Sequence, residues 1–220
     1  MTRNHRSIAF IGGTGPEGLG LAMRFAHAGD AVIIGSRRIE RAKEAARKIL
    51  EQVPTATVRG LENEAAVRAG DLVMITVPYG GQRDTLEQLR DAIGDKIVID
   101  TVVPLEFEKG KIRAISVAEG SATEQAQAML PDATVVGAFH NLSAHDLMDV
   151  PNEVQSDVVV VADDAEAKQT VIELAQTIDG VRGIDGGGLQ NSRLVENITV
   201  LLLNINKVYK SHSSIKIVGV

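Results

Sequence analysis

Three glycines at fixed spacing, Gly13-x-Gly15-x-x-Gly18, follow the apolar run Ser7-Ile-Ala-Phe-Ile11 and precede a stretch with helical periodicity. Strand, glycine turn and helix in that order form the context in which this spacing binds a dinucleotide. Gly13 permits a tight bend, Gly15 lets the backbone approach a pyrophosphate, and Gly18 lets the helix pack closely on the strand. Thr14, Pro16 and Glu17 belong to the same turn, where free amides and the helix dipole favour an anion. A second apolar run, 31–34, leads into Gly35-Ser-Arg-Arg38, where an NAD site would carry Asp or Glu for the ribose hydroxyls. A carboxylate would repel a 2′-phosphate, whereas Ser36 offers a hydroxyl donor and Arg37 a planar, permanent cation. Arg38 and Arg41, at helical spacing, can add positive potential. The sequence therefore predicts NADP as the cofactor.

A second reactant in such a fold meets the nicotinamide beyond the carboxyl ends of the strands. Three strand ends carry suitable side chains: Thr76-Val77-Pro78-Tyr79, Thr101-Val102-Val103-Pro104, and Ala138-Phe139-His140 continuing to Ser143. Val77, Pro78, Val103 and Pro104 can wall the ring, with Thr76 and Ala138 at the same ends. His140 is the candidate catalytic residue, because an imidazole can donate or accept a proton near neutral pH. A proline after a strand is equally ordinary punctuation, and His145 reads as a surface residue. The chain has no cysteine, hence no disulfide, thiolate metal site or thiol nucleophile. No metal-ligand spacing occurs, and no serine lies in a GxSxG frame.

These residues need a scaffold, and 220 residues, 44% of them hydrophobic and 24% charged, suffice for one compact enzyme. Strand and helix patterns alternate, which predicts an α/β fold of the Rossmann type with a doubly wound parallel sheet. After the first βαβ unit we expect a helix at 39–52, a short strand at 57–60, a helix at 62–69 and a strand at 71–77. A helix at 82–93, a strand at 96–100, a helix at 121–130 and a strand at 134–139 complete six strands. Residues 1–150 would form the NADP-binding domain. Residues 151–220 would form a small C-terminal lobe: a strand at 157–162, a helix at 164–178 capped by Asp163 or Asp164, a strand at 182–184, and a helix from 189 to about 210. That last helix is apolar over most of its length and must be covered on several sides. The sheet can cover one and a second copy of the chain another, so a homodimer is expected; an intramolecular core helix is the alternative. A net charge of −6 argues against nucleic acid as the main partner. No signal-like apolar segment precedes the first strand and no run approaches a membrane span, so no membrane partner and a cytoplasmic location are expected.

With these residues in view, the chain resembles the NADPH-dependent reductases of the deazaflavin coenzyme F420 over nearly its whole length. The resemblance is carried by Ile11-Gly-Gly-Thr-Gly15, Gly35-Ser-Arg-Arg38, Thr76-Val-Pro78, Asn191-Ser-Arg-Leu-Val-Glu196 and Ser214-Ile-Lys-Ile217. It implies that Thr14, Ser36, Arg37 and Arg41 hold NADP, that Val77, Val103 and His140 lie near the two rings, and that Asn191, Ser192 and Leu194 border the coenzyme F420 pocket. It implies reversible hydride transfer between the two, with F420 as co-substrate. The chain departs from the family pattern at Tyr79, where a tryptophan is usual, and at Ser143. Two other classes fit the residues: an NADP-dependent reductase of a flavin, imine or keto acid, and a non-enzymatic NADP-binding redox sensor.

Overall fold

The computed structural model describes residues 5–108 and 110–220. Its main sheet contains β1 (Ser7–Ile11), β2 (Ala31–Ser36), β3 (Val58–Glu62), β4 (Leu72–Ile75), β5 (Ile97–Asp100) and β8 (Thr134–Gly137), with a hairpin of β6 (Leu105–Glu108) and β7 (Lys111–Ala114) inserted before the last. The order is β3-β2-β1-β4-β5-β8, and every neighbour pair in it is parallel. The chain reverses its winding between β1 and β4, which opens a ligand crevice beyond Ile11 and Ile75. Helices α1 (Pro16–His27), α2 (Ile39–Gln52), α3 (Asn63–Ala69), α4 (Tyr79–Ile93) and α5 (Ala122–Met129) supply the crossovers. Residues Ile8–Ile11 and all of β4 are buried, so these strands read as unbroken apolar runs rather than alternating ones. Two cores result. Phe10, Phe25, Met74 and Phe139 belong to one and Ala9, Ile11, Ile33, Leu86 and Val98 to the other.

Beyond β8 come α6 (Ala144–Met148), β9 (Ser156–Val160), α7 (Ala165–Ala175), β10 (Val181–Asp185), a 3-10 turn (Leu189–Asn191) and α8 (Ser192–Tyr209). β9 and β10 form a separate parallel pair, joined to the main sheet by an antiparallel bridge between Gly137 and Val161. Of the two expected caps for α7, Asp164 serves, accepting the Ala167 N–H at 2.7 Å. The other flank of β9 is met by the chain end: the Asp157 N–H donates to the Ile215 carbonyl at 2.8 Å, and the Ile217 N–H donates back to the Asp157 carboxylate at 2.6 Å. Arg182 clamps the same carboxylate with bonds of 2.9 and 2.6 Å.

Several expectations shift. The hairpin was not anticipated, although Leu105-Glu-Phe-Glu108 and Lys111-Ile-Arg-Ala114 alternate apolar and charged residues around Gly110, which takes a φ of +78°. α4 starts at Tyr79, three residues before the expected start, because Pro78 is its N-cap and the poor helix formers Gly80 and Gly81 occupy its first turn. α6 is a further short helix, capped by the Ser143 hydroxyl, which accepts the Asp146 N–H at 3.4 Å. It is fixed by Arg24 of α1, only 3% exposed. All five guanidinium contacts are to carbonyls: Nε to Leu147 at 2.9 Å, Nη1 to Val150 and Asn152 at 3.1 and 2.7 Å, Nη2 to Asp146 and Asp149 at 2.5 and 2.6 Å. α8 buries Val195, Val200 and Leu202 while Leu194 and Leu201 remain 60% and Val208 74% exposed. No described helix is long and apolar enough to cross a membrane.

Candidate active site

The glycine turn closes tightly against the end of β4. Gly12, rather than Gly13, adopts the left-handed conformation, with φ +95°, and a Cβ there would stand 2.8 Å from the Thr76 backbone. The bend expected at Gly13 therefore falls one residue earlier; Gly13 is needed for room, since a Cβ would meet that of Phe10 at 2.8 Å. Gly18 permits the close helix–strand approach, as a Cβ would lie 2.4 Å from the Thr76 hydroxyl and 2.9 Å from the Gly13 Cα. Gly15 is the open one: its Cβ would meet only the Gly12 carbonyl, at 3.4 Å. It caps α1, and Pro16 takes the first helical position, where the missing N–H costs nothing. The first amides of a helix have no partner within it, which leaves Glu17 and Gly18 N–H available to an anion. Thr14 is exposed beside them. The Glu17 side chain is only partly covered, yet its Oε1 is sealed off without a partner, and burial pushes its pKa up to about 8. Burial thus disfavours a negative charge here, beside the place a pyrophosphate would take.

At the tip of β2, the Ser36 hydroxyl accepts the Arg38 N–H at 3.2 Å, leaving its own hydrogen to donate outward. Arg37, Arg38 and Arg41 are all exposed. Farther along α2, Glu44 pairs with Lys48 at 3.1 Å and Glu51 with Arg47 at 3.8 Å, while Glu40 shares the first turn of the helix with Arg41. An open cleft of about 220 Å³ is lined by Thr14, Leu19, Arg41, Glu44, Ala45 and Lys48. This arrangement of hydroxyl, amides and guanidinium groups suits a phosphomonoester next to a diphosphate. Asn63, which the sequence did not single out, lies beside it. Its Oδ1 is buried without a partner, 3.0 Å from where a Cβ on Gly35 would be.

Across the crevice, Thr76, Val77 and Val103 are half-buried, Pro78 is exposed and Ala138 is enclosed. Thr76 donates through its N–H and its hydroxyl to the Ile11 carbonyl, at 2.8 and 3.1 Å, which fixes the β4 end to the glycine turn. The chain turns at Phe139, a non-glycine residue with φ +66°, held there by burial of its ring edge-on against Phe25 at 5.7 Å. That turn sends His140 inward. The ring is 2% exposed, neither nitrogen has a partner, and burial lowers its pKa to about 3. The expectation of a group titrating near neutrality is corrected: desolvation keeps this imidazole neutral at pH 7, able to offer one N–H but no charge. The His140 carbonyl accepts the Thr199 hydroxyl at 2.7 Å, tying this loop to α8.

Among residues 191–194 the structure separates roles. Asn191 is half-buried and donates to the Gly186 carbonyl at 2.8 Å, and Ser192 is fully buried and donates to the Leu189 carbonyl at 2.6 Å. Ser192 thus secures the turn and faces no ligand space. Asn191, Arg193 and Leu194 border a cleft of about 350 Å³ with Gly120, Glu124 and Gln190. Beneath it, Glu196 caps α5, accepting the Ala122 and Thr123 N–H groups at 3.1 Å each and the Thr123 hydroxyl at 3.0 Å. Among the described residues no group of His, Asp and Glu is arranged to hold a metal ion.

Sheet order, glycine turn and phosphate-suited tip define a Rossmann-type dinucleotide-binding protein. The family model described as NADP oxidoreductase, coenzyme F420-dependent, matches residues 7–104. The F420-dependent NADP reductase of Methanothermobacter thermautotrophicus is 46% identical over 205 residues, covering 90% of this chain and 88% of that protein. That of Methanocaldococcus jannaschii is 43% identical over 210 residues, covering 93% and 94%. The crystal structure of a candidate F420-dependent NADP reductase from Arthrobacter sp. FB24 superposes with a TM-score of 0.82 at 22% identity, covering 98% of this chain and all of that one, which speaks for the fold. The chain belongs to the F420-dependent NADP reductase family.

Proposed function

We propose that the protein transfers a hydride reversibly between NADP(H) and the deazaflavin coenzyme F420, the reaction for which its relatives are named. One observation carries this reading. The 46% identity extends over 90% of the chain, far more than a dinucleotide cradle alone. Gly13, Thr14, Gly15, Pro16 and Glu17, whose charge burial disfavours, receive the pyrophosphate. Ser36 and Arg37, supported by Arg38 and Arg41, receive the 2′-phosphate. Thr76, Val77, Pro78 and Val103 wall the nicotinamide; Ala138 is enclosed at the same end of the sheet, and His140 shapes the cleft floor without contributing charge. Asn191 and Leu194 border the deazaflavin, so residues 151–220 complete a cleft that residues 1–150 begin. When bound, NADPH would supply the hydride and NADP+ would accept it in the reverse direction. The protein would contribute orientation of the two ligands and exclusion of water, which needs no covalent intermediate.

The working unit in this reading is a homodimer. Leu194, Leu201 and Val208 recur every seven residues along the exposed side of α8, with the half-buried Ile198 and Ile205 between them, which is the spacing of a helix–helix seam. A chain without cysteine needs no oxidising compartment, and we place the dimer in the cytoplasm. Anaerobic mixing with NADPH and oxidised F420, following the visible band of the deazaflavin against a flavin mononucleotide control, tests the reaction. Bleaching of the deazaflavin alone supports it; bleaching of the flavin alone, or of neither despite tight NADPH binding, moves the protein to one of the other classes.

A further inference from the structure

One side-chain amide at the dinucleotide crevice is held with its oxygen buried and its nitrogen free. Asn63 opens α3 directly after β3, and β3 pairs with β2 so that Leu61 stands opposite Gly35 and Glu62 opposite Ser36. The residue thus follows the strand end that flanks the Ser36–Arg37 tip. Its side chain packs onto Gly35: a Cβ there would stand 2.7 Å from Ile11 Cδ1, 3.0 Å from Asn63 Oδ1 and 3.2 Å from Ala66 Cβ. Glycine at position 35 is what leaves room for the amide. The Oδ1 is sealed from water without a donor, whereas the Nδ2 is not sealed and bonds to none of the described residues.

The pocket decides which end of the amide faces out. Ile11, Gly35 and Ala66 form it, and none of them carries a side-chain donor or acceptor. Turning the amide over would bury two N–H donors in place of one oxygen, the costlier arrangement. The outward end therefore donates and cannot accept. A site for unphosphorylated ribose does the reverse, offering the carboxylate of Asp or Glu to the sugar hydroxyls. A phosphate presents acceptor oxygens and is met by donors. Of the carboxylates beside Asn63, Glu62 is exposed to water and Glu64 is taken up by Arg68 at 2.8 Å.

We propose that Asn63 is a specificity residue for NADP over NAD, donating through Nδ2 to the 2′-phosphate. Ile11 and Ala66, which seat it, belong to the core on one face of the sheet, whereas Ala42 and Ala45, the neighbours of Arg41 on α2, belong to the core on the other. The phosphate is then gripped from both faces, by Ser36 and the α2 arginines on one side and by a neutral amide on the other. The inference rests on the reading of NADP as the cofactor and is independent of which acceptor takes the hydride. Removing the amide also removes an unpaired buried oxygen, so the fold should lose no stability by it.

Equilibrium titrations test this without any turnover, with NADPH, NADH, adenosine 2′,5′-bisphosphate and AMP as ligands. Asn63→Ala should weaken NADPH and the bisphosphate about 10–100-fold and leave NADH and AMP within about twofold, as for one lost hydrogen bond to a charged group. Its Tm should not fall. Asn63→Asp puts a charge and an acceptor where the donor was. It should weaken NADPH further and bind NADH at least as well as the parent, since a carboxylate can accept the free ribose hydroxyls. Unweakened NADPH in Asn63→Ala, or equal weakening of NADPH and NADH in either variant, overturns the assignment; a lowered Tm with both cofactors equally affected shows a role in the fold only. Arg37→Ala is the reference. If neither it nor the parent distinguishes NADPH from NADH, the NADP reading fails and Asn63 falls with it. If Arg37→Ala loses NADPH selectively and the Asn63 variants do not, the Asn63 inference alone is refuted.

Discussion

Replacing Arg24 by Met keeps the aliphatic stem and deletes the guanidinium that gathers five carbonyls. Two of those acceptors, on Leu147 and Val150, lie in fully buried contacts, and the other three are partly buried. Each enclosed carbonyl left without a donor costs about 2 kcal/mol, and each of the others, which water can reach, about 0.5–1 kcal/mol. Against a gross loss near 6 kcal/mol stands the relief of no longer desolvating a cation, about 3 kcal/mol. Burial does pull against the Arg24 charge, with Asp149, Asp179 and Asp146 supporting it. The net expectation is a destabilisation of about 3 kcal/mol, or a Tm lowered by about 6–12 °C for a chain of this size. Urea unfolding at pH 7, followed by far-UV circular dichroism, measures it. Arg24→Lys, with fewer donors, should fall between parent and Met. A loss below about 1 kcal/mol with an unchanged m-value would mean that segment 146–152 is held by something other than this residue.

Other consequences are equally direct. Arg37→Ala should weaken NADPH about 10–100-fold in titrations while leaving NADH within about twofold, since one charge-assisted phosphate contact is lost; equal weakening refutes the 2′-phosphate assignment. Gly18→Ala drives a methyl against Thr76 and Gly13 and should lower stability by about 1–3 kcal/mol, with weaker NADPH binding; an unchanged Tm would contradict the packing described. His140 has a folded pKa below its unfolded value, so its stabilising contribution is complete above pH 6.5 and declines as pH falls toward 3. The parent's stability advantage over His140→Gln should therefore shrink by about 1.4 kcal/mol per pH unit between 6.5 and 4.5. Urea midpoints of both proteins at the two pH values test this, and a constant difference would show that the ring is not held neutral. Glu17 has the opposite sign: its pKa is raised, so stability is lost as pH rises from 4.5 through about 8, and Glu17→Gln should flatten that decline.

What could be read from the chain was what neighbours in sequence decide. The dinucleotide turn was legible because its strand, glycines and helix are contiguous, and the phosphate preference because Ser36 and Arg37 follow β2 directly. The φ of Gly12 was not, since it depends on how near β4 comes. Arg24 looks like one polar position on a mainly apolar helix; its five partners are backbone carbonyls, which leave no mark on side-chain identity. His140 was found at its strand end, but its neutrality follows from enclosure by α8 and the left-handed turn at Phe139. Asn63 meets Gly35 only through the pairing of β3 with β2, and Glu196 reaches the start of α5 only when the last helix docks, so no local pattern could reveal either.

The hydrogen bonds that join residues 215–217 to β9 also bear on how this protein avoids self-assembly. Ser156-Asp-Val-Val-Val-Val-Ala162 combines high strand propensity with little charge and no proline, the composition that stacks into fibrils when its edge is bare. In the folded chain β10 covers one edge of it, while the tail and the Gly137 bridge close the other at Asp157 and Val161. Residues 215–217 thus act as a guard strip over a sticky strand, whose flank at Asp157 stays bare until they have been made and docked.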